Sequence, residues 1–270
     1  GNADRWVDLD GEGISGVLTE QGGRWFYKPN DSPLTRTAHL GAAVAVSSMP
    51  SGGLAPAGST QFVDLAGDGQ LDLVELEGAL SGYYERTTEQ GWHPFRSFSH
   101  NPNVDWNDPN VRLIDLTGDG HADLLVTEQD VFTWYPSMAE AGFAGPERVH
   151  VPTDEARGPR LVFADGTETL FNADMSGDGL TDLVRIRNGE ICYWPNLGYG
   201  RFGGKVTMDR APAYDNPEQF DPARIRLVDV DGSGVTDVIY LGGSDTRVWF
   251  NQSGNGWSAP HSLDGFPPAD

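Results

Sequence analysis

Short apolar runs separated by polar turns dominate the pattern of hydrophobic and polar positions along this chain. In the region 111–136 the runs are "VRLID", "ADLLVT" and "VFTWYP", and the segment "PERVHV" follows at 146–151. β-Branched and aromatic residues are frequent in these runs, and no apolar period of 3.6 residues continues for two helical turns. The pattern therefore predicts short β-strands rather than helices.

A loop rich in aspartate and glycine recurs between the first two strands of each group. Its copies follow one another at intervals of 56, 51, 59 and 55 residues, and an aromatic pair with a polar turn follows each of the last four. Self-similarity at this period indicates a tandem array of supersecondary units. The five copies, called loops one to five, begin at Asp8, Asp64, Asp115, Asp174 and Asp229.

Each unit reads as four short strands, and five such units predict an all-β fold, a β-propeller with one blade per unit. The predicted blades span approximately 1–58, 59–108, 109–166, 167–222 and 223–270 of a single domain. Three alternatives stay open at this point: part of a six- or seven-bladed ring, a long β-sandwich and a β-solenoid.

The loops share the pattern D-x-[D/T/S/A]-G-[D/S/E]-G-x-x-D, with nine positions. Positions 1, 3, 5 and 9 supply side-chain oxygens and position 7 a backbone carbonyl, which suits the six to eight oxygen ligands of Ca²⁺. Glycine at position 6 permits the sharp turn that brings that carbonyl inward. Without a cation, carboxylates so close together repel one another. The loops are therefore predicted to bind three to five calcium ions.

The predicted calcium ligands of loops two to five are Asp64, Asp68, Gln70 and Asp72; Asp115, Thr117, Asp119, His121 and Asp123; Asp174, Ser176, Asp178, Leu180 and Asp182; and Asp229, Asp231, Ser233, Val235 and Asp237. Loop two has Ala66 at position 3, so a water molecule would complete its ligand set. Loop one offers a weaker set, namely Asp8, Asp10, Glu12 and Ile14, because Gly16 stands where the last aspartate is expected.

An EF-hand would use a similar opening, but it needs a glutamate at position 12 and a helix on each side. Position 12 holds Glu75, Val126, Arg185 and Tyr240 in loops two to five, and the flanking residues are typical of strands. The loops are therefore predicted to be hairpin calcium loops.

The charge of the chain supports this interpretation. Lys and Arg number 18 against 40 Asp and Glu, giving a net charge of −22, and fifteen of the acidic residues lie at loop positions. Such acidity disfavours nucleic acid and anionic membranes as partners. No apolar run is long enough to span a membrane. The N-terminal residues lack the pattern of a signal peptide, so an export signal is expected elsewhere. Cys192 stands between apolar residues and is expected to be a buried, inert thiol.

Aromatic residues on the connectors between blades are candidates for binding a partner. In a four-stranded blade the aspartate loop and the connectors lie at opposite ends of the sheet, and the long connectors are 99–110, 151–172 and 208–223. Trp106, Tyr214 and Phe220 lie on them, and aromatic residues on ordered loops often anchor interfaces. The alternative is that these rings fold back over the blade edges.

The loops and the aromatic-Gly-Phe segments resemble the FG-GAP and VCBS-type repeats of integrin alpha-chain propellers. A more specific resemblance is carried by "NVDWNDPNVRLIDLTGDGHADLLVTEQDVFTWYPS", "GPRLVFADGTETLFNADMSGDGLTDLVRIRNGEICYWPNLGYGRFG" and "FNQSGNGWSAP". These segments are similar to the middle region of the B component of bacterial insecticidal toxin complexes and related SpvB/Rhs-type proteins, over nearly the whole chain. The resemblance implies a secreted bacterial protein, of which this chain is one part. It also implies a propeller that closes an Rhs-repeat shell, docks it onto a pore-forming A component and acts as a gate.

The function expected from these observations is a non-enzymatic, calcium-stabilised docking module. No GxSxG, HExxH or phosphate-binding loop occurs, and the six histidines show no ligand spacing. The main alternative is a carbohydrate-binding propeller that uses the recurrent aromatics as sugar platforms, although one of each pair must face the core. A glycoside hydrolase is a third class, since carboxylate pairs are abundant. The aromatics in question are Trp134, Tyr135, Tyr193, Trp194 and Trp249.

Overall fold

The computed structural model describes residues 5–11, 16–31, 40–50, 60–65, 68–76, 81–87, 89, 91–164, 169–216, 218–243 and 245–262. Three positions of the predicted calcium loops, Glu12, Ile14 and Ala66, lie outside these residues. Two compact units divide the chain, one formed by 1–108 with 135–145 and the other by 109–134 with 146–270.

Twenty strands form five antiparallel sheets of four strands each. The first sheet contains β1 (Arg5–Val7), β2 (Gly16–Gln21), β3 (Arg24–Lys28) and β4 (Val44–Ala45). The second contains β5 (Thr60–Val63), β6 (Asp72–Glu75), β7 (Gly82–Tyr84) and β8 (Arg96–Ser97). The third contains β9 (Val111–Ile114), β10 (Asp123–Thr127), β11 (Val131–Tyr135) and β12 (Glu147–His150).

The fourth sheet contains β13 (Leu170–Ala173), β14 (Asp182–Arg187), β15 (Glu190–Trp194) and β16 (Val206–Thr207). The fifth contains β17 (Ile225–Val228), β18 (Asp237–Leu241), β19 (Thr246–Trp249) and β20 (His261–Ser262). In every sheet the strands follow one another in chain order. The chain is therefore an all-β, five-bladed propeller, and the predicted fold class and blade number are confirmed.

Helical structure is confined, in the described residues, to two short 3-10 helices at Ala139–Ala141 and Pro222–Arg224. Neither these nor any other described segment forms a helix long and apolar enough to span a membrane. Strand character follows from composition, since β14 has the sequence DLVRIR and its first five residues are buried. The buried residues include the apolar Leu183, Val184 and Ile186, and also the charged Asp182 and Arg185.

Apolar side chains from neighbouring sheets form the cores of each unit. In the first unit, Trp25 and Leu18 of the first sheet pack with Leu73 and Tyr84 of the second. In the second unit, one core joins the third and fourth sheets and another joins the fourth and fifth. The aspartate loops lie between the first and second strands of each sheet, and the second residue of loops three and four, Leu116 and Met175, is buried in these cores.

Candidate functional site

The aspartate at position 1 holds the turn of each loop with its own carboxylate. In loop three, Asp115 accepts hydrogen bonds from the backbone N–H groups of Gly118 at 2.7 Å and Gly120 at 2.9 Å. Loops two, four and five repeat the bond to the glycine at position 6, at 2.9, 2.8 and 2.9 Å. That glycine has a φ of +85° or +86° in loops two to five, a conformation that residues with a side chain rarely adopt.

The next carboxylate in each loop closes a smaller turn. Asp68, Asp119 and Asp178, at position 5, each accept the backbone N–H two residues further on at 2.9 Å. In loop five the carboxylate is at position 3, and Asp231 accepts the N–H of Ser233 at 2.9 Å. These bonds leave the loops folded with their oxygens gathered at the end of the sheet.

The aspartates at position 9 differ from the others because they are at most 2% exposed: Asp72, Asp123, Asp182 and Asp237. In loop four, Asp182 accepts the backbone N–H of Met175 at 2.9 Å and that of Asn196 at 2.8 Å. Loops two and five repeat both bonds. One carboxylate thereby connects the aspartate loop to the turn that follows the third strand of the same sheet.

The buried carboxylates at position 9 are called the inner carboxylates, and the pKa values of those of Asp72 and Asp182 shift in the opposite direction from that of the exposed Asp229. It raises the pKa of Asp182 to about 6, against the lowering effect of the N–H groups of Asn196 and Met175. Burial also raises the pKa of Asp72 to about 6. The exposed Asp229 behaves in the opposite way, since hydrogen bonds from backbone N–H groups, that of Gly234 first, lower its pKa. A cation beside the inner carboxylates would favour their ionised form.

Neighbouring loops of one unit contact each other through a glycine and a side chain. A Cβ atom on Gly118, at position 4 of loop three, would stand 2.6 Å from Cδ2 of Leu180, at position 7 of loop four. A Cβ atom on Gly177 would likewise stand 2.8 Å from Cγ1 of Val235 in loop five. Both glycines also have a positive φ. In loops three and four the glycine at position 4 therefore leaves room for a side chain of the next loop, and position 7 of that next loop supplies the side chain.

Two asparagines that sequence analysis did not single out connect these loops more firmly. Asn251 donates its side-chain amide to the carbonyl oxygens of Met175 at 3.0 Å and Thr236 at 3.1 Å, and its own amide oxygen accepts the N–H of Gly254 at 2.8 Å. Asn196 occupies the same place in the fourth sheet and contacts the carbonyl of loop three, at Asp115. The recurrence of Asn after the aromatic pair, in "YWPN" and "VWFN", was the available signal.

In its described residues, loop one is built differently from the other loops. The N–H of Leu9 donates to the hydroxyl of Tyr27 at 3.4 Å, where the other loops use the buried aspartate. Gly16 makes room for this ring, because a Cβ atom there would stand 2.6 Å from the Tyr27 hydroxyl oxygen. The carboxylate of Asp10 faces a positive charge already present, the guanidinium of Arg86, at 3.9 Å.

Loops four and five fit a calcium ion on independent grounds. In loop five, carboxylate oxygens of Asp229, Asp231 and Asp237 lie within 4.8 Å of one another, the one group of three or more candidate ligand side chains that converges in this way among the described residues. In loop four, the predicted ligand atom Oγ of Ser176 is buried and has no hydrogen-bond partner. Buried polar atoms without a partner are rare and need an explanation, such as a bound ion.

The predicted partner-binding aromatics are packed against the protein. Tyr214 is fully buried, stacks on Phe220 with ring centroids 5.5 Å apart and contacts Trp249 edge-on at 5.3 Å. Trp106 is half-buried and contacts Phe143. Tyr214 is therefore a core residue, whereas Trp106 and Phe220 are half-buried and keep part of their rings accessible.

Exposed apolar residues of the second unit occur instead at the end of the sheets that carries the aspartate loops. Leu197 and Tyr199, in the turn after β15, are 62% and 60% exposed. Val228, at the end of β17, and Val230, in loop five, are 46% and 40% exposed. The N–H of Tyr199 donates to the carbonyl of Leu116 in loop three, so this turn is held in place. These four residues are called the loop-end patch.

The aromatics considered as sugar platforms are mostly interior. Trp134, Tyr193, Trp194 and Trp249 are at most 5% exposed, and Tyr135 is half-buried. Cys192 is fully buried, as predicted, and burial raises the pKa of its thiol. The four buried rings and the thiol are therefore not accessible to a ligand.

Solved structures of toxin-complex proteins are similar to this chain in fold. A structure of the Photorhabdus luminescens Tc holotoxin pore matches over 98% of this chain with 30% identity and a TM-score of 0.76, and the chain spans 12% of the matched one. A crystal structure of TcdB2-TccC3-TEV also matches over 98% with 30% identity, a TM-score of 0.53 and 12% of its length.

A more distant match shows the fold alone. It is a lectin of Agrocybe aegerita that recognises non-reducing terminal N-acetylglucosamine, matched over 97% of this chain and 65% of its own, with 20% identity and a TM-score of 0.58. No protein-family model and no curated protein matches the chain. The chain is thus similar, over almost its entire length, to one propeller-sized part of much longer toxin-complex proteins.

Proposed function

We propose that this chain is a non-enzymatic docking module of a secreted bacterial toxin complex, and that calcium stabilises its loops. The observation that carries the proposal is the similarity to the Tc holotoxin pore over 98% of the chain. The proposed partner is the pore-forming A component. An Rhs shell in the same polypeptide, which the sequence resemblance implies, is the other partner that a binding experiment has to distinguish.

The loop-end patch is the surface that we assign to this contact. Its four apolar side chains are exposed, and exposed apolar residues on a rigid frame are typical of protein interfaces. Hydrogen bonds and glycine contacts hold loops three to five together beneath it. Calcium would act by fixing the shape of this end rather than by reacting with a substrate.

Calcium would be held by side-chain oxygens at positions 1, 3, 5 and 9 and by the carbonyl at position 7. Loop five offers Asp229, Asp231 and Asp237, and loop four offers Ser176 with its three aspartates. Loops two and three share the same turn geometry and belong to the proposed set. Loop one is left out of the proposed calcium sites. The hydroxyl of Tyr27 takes the place of the buried aspartate of the other loops, and the guanidinium of Arg86 lies where a cation would face Asp10.

Biolayer interferometry with the immobilised chain and the purified A component of a toxin complex tests the docking role. Binding is expected, and the double variant Leu197→Glu/Tyr199→Glu is expected to weaken it by at least about tenfold, or 1.4 kcal/mol. Phe220→Ala is the matched control, since that ring packs on Tyr214 rather than facing a partner. No binding to the A component, with binding to an Rhs shell instead, would reassign the partner. If the double variant and Phe220→Ala bind the A component equally well, the loop-end patch is not part of the interface.

A carbohydrate-binding role is not proposed on the recurrent aromatics, because four of the five rings lie in the core. The lectin similarity concerns the fold, which many unrelated functions share.

A further inference from the structure

Arg86 occupies a special position in the second sheet. Its backbone N–H donates to the inner carboxylate of loop two, Asp72, at 2.9 Å. In the fourth and fifth sheets the residues at this place are Asn196 and Asn251, whose amides connect neighbouring loops. A guanidinium therefore stands where the fourth and fifth sheets use a neutral amide.

The guanidinium of Arg86 is buried and incompletely paired. Its side chain is 3% exposed, and Nη2 lies 3.9 Å from the nearer carboxylate oxygen of Asp10, beyond hydrogen-bond distance. The group lies over the ring of Trp92, 4.9 Å from the centroid, and Nη1 is buried without a hydrogen-bond partner. A buried charge with unmade hydrogen bonds is destabilising, so this arrangement calls for a further partner.

A cavity adjoins this guanidinium. It has a volume of about 350 Å³ and is bounded by Arg86 and Asp10 on its polar side and by apolar atoms of Leu9, Tyr27 and Val44 elsewhere. This volume falls within the range of small-molecule sites, which combine apolar walls with a few polar groups. Val44, on the edge strand β4, is 62% exposed, so the cavity opens to solvent beside it.

We propose that this Arg86 cavity binds a carboxylate attached to a small apolar body. A carboxylate both accepts hydrogen bonds from a guanidinium and neutralises it, which a neutral amide does not do. A more highly charged anion would be repelled by Asp10 and by the net charge of −22. The apolar wall formed by Leu9 and Val44 suits the remainder of the ligand. This inference does not depend on the docking proposal, since it concerns a different unit of the chain.

Isothermal titration calorimetry with benzoate and with its neutral analogue benzamide tests the site. We expect saturable benzoate binding at millimolar concentrations, and at least about tenfold weaker binding of benzamide. Arg86→Met is expected to weaken benzoate binding by at least about tenfold, whereas Arg24→Met, which removes an exposed arginine of the first sheet, is expected to leave it unchanged. Benzamide binding as tightly as benzoate, or an Arg86→Met protein that binds normally, would overturn the proposal.

Two further measurements test the site even if Arg86→Met does not fold. Val44→Trp narrows the opening without altering Arg86 and is expected to weaken benzoate binding. In the unaltered chain labelled with ¹⁵N-arginine, benzoate is expected to shift one arginine side-chain signal, and no shift would count against the site. Butyrate represents a free organic acid, and N-acetylglutamate amide represents the acidic side chain of a peptide. The compound that binds more tightly identifies the source of the carboxylate. If none of these carboxylates binds, the proposal fails.

Discussion

The side-chain amide of Asn251 lies 3.0 Å from the carbonyl oxygen of Met175, 76 residues earlier in the chain. This bond joins the turn that ends β19 to loop four of the preceding sheet. The backbone N–H of Asn251 meanwhile donates to the buried carboxylate of Asp237 at 2.8 Å. A single residue thus belongs to two loops of the second unit.

Replacing this residue is expected to loosen both loops. Asn251→Ala removes the donors to two carbonyl oxygens and the acceptor for the N–H of Gly254, so the free energy of unfolding should fall by about 1–3 kcal/mol. Urea unfolding followed by tryptophan fluorescence measures the change. Asn255→Ala is the control, because Asn255 is exposed, and its effect should stay within about 0.5 kcal/mol. Equal effects of the two substitutions would contradict the structural role of Asn251.

Calcium should raise the melting temperature, and Ser176 should contribute to the increase. A ligand at a hundred times its Kd stabilises a protein by about 2.7 kcal/mol per site. Because Oγ of Ser176 has no protein partner, Ser176→Ala should leave the melting temperature in EDTA nearly unchanged and reduce the increase caused by calcium. Differential scanning calorimetry with EDTA or Ca²⁺ measures both quantities.

The control for this experiment is Ser262→Ala, on the exposed edge strand β20, which should retain the full increase. A chain whose melting temperature does not respond to calcium at all would refute the proposed ligands. A Ser176→Ala protein that is destabilised in EDTA would instead show that the hydroxyl has a structural partner.

Loop one should depend on Tyr27 and not on calcium. Tyr27→Phe removes the acceptor for the N–H of Leu9, and the free energy of unfolding should fall by about 0.5–1.5 kcal/mol, equally in EDTA and in Ca²⁺. Chemical denaturation in the two buffers measures this. Tyr199→Phe, at an exposed ring, should change little. If Tyr27→Phe altered the stabilisation by calcium, loop one would have to be added to the calcium sites.

Cys192 should make the chain less stable in alkali. Burial raises the pKa of its thiol, although Arg185 and Lys205 act in the opposite direction. Above the ordinary thiol pKa of about 8.5 the unfolded chain loses this proton while the folded chain keeps it. The free energy of unfolding therefore falls as pH rises from that value towards the folded-state pKa, by up to about 1.4 kcal/mol per pH unit.

Urea unfolding of the unaltered chain and of Cys192→Ala between about pH 8 and about pH 10 isolates this contribution. The difference in stability between the two proteins should shrink as pH rises, because only one of them carries the thiol. Buried tyrosines, such as Tyr193, have raised pKa values as well, but they are present in both proteins and cancel. A constant difference across this range would exclude the effect.

Periodic features of this chain were predictable from its sequence, and features that depend on side-chain direction were not. The runs around 111–150 predicted β9 to β12, since apolar periodicity and turn residues are local signals. The folding of the aspartate turns followed from the glycine at position 6. The partnership of Tyr27 with Leu9 was not predictable, because it depends on a ring that reaches across two strands into the space left by Gly16.

The connector aromatics show the same limit. Tyr214 follows Pro212 in a segment without periodicity, and nothing in the sequence says whether its ring points to solvent or to the core. The ring is accommodated by Trp249 and Tyr240, which belong to the next sheet and lie far along the chain. Conversely, the exposure of Leu197 and Tyr199 results from a turn fixed by loop three, a contact that local sequence does not encode.

In loops three to five, the contact between the glycine at position 4 of one loop and the side chain at position 7 of the next limits which substitutions a repeat can accept. Loop four carries both halves of this joint, a recess at Gly177 for Val235 and the projecting side chain of Leu180 beside Gly118. A repeat with a neighbour on each side is therefore constrained from both, whereas a Cβ atom on Gly232 of the last loop would meet nothing within 4 Å and is free of this steric constraint.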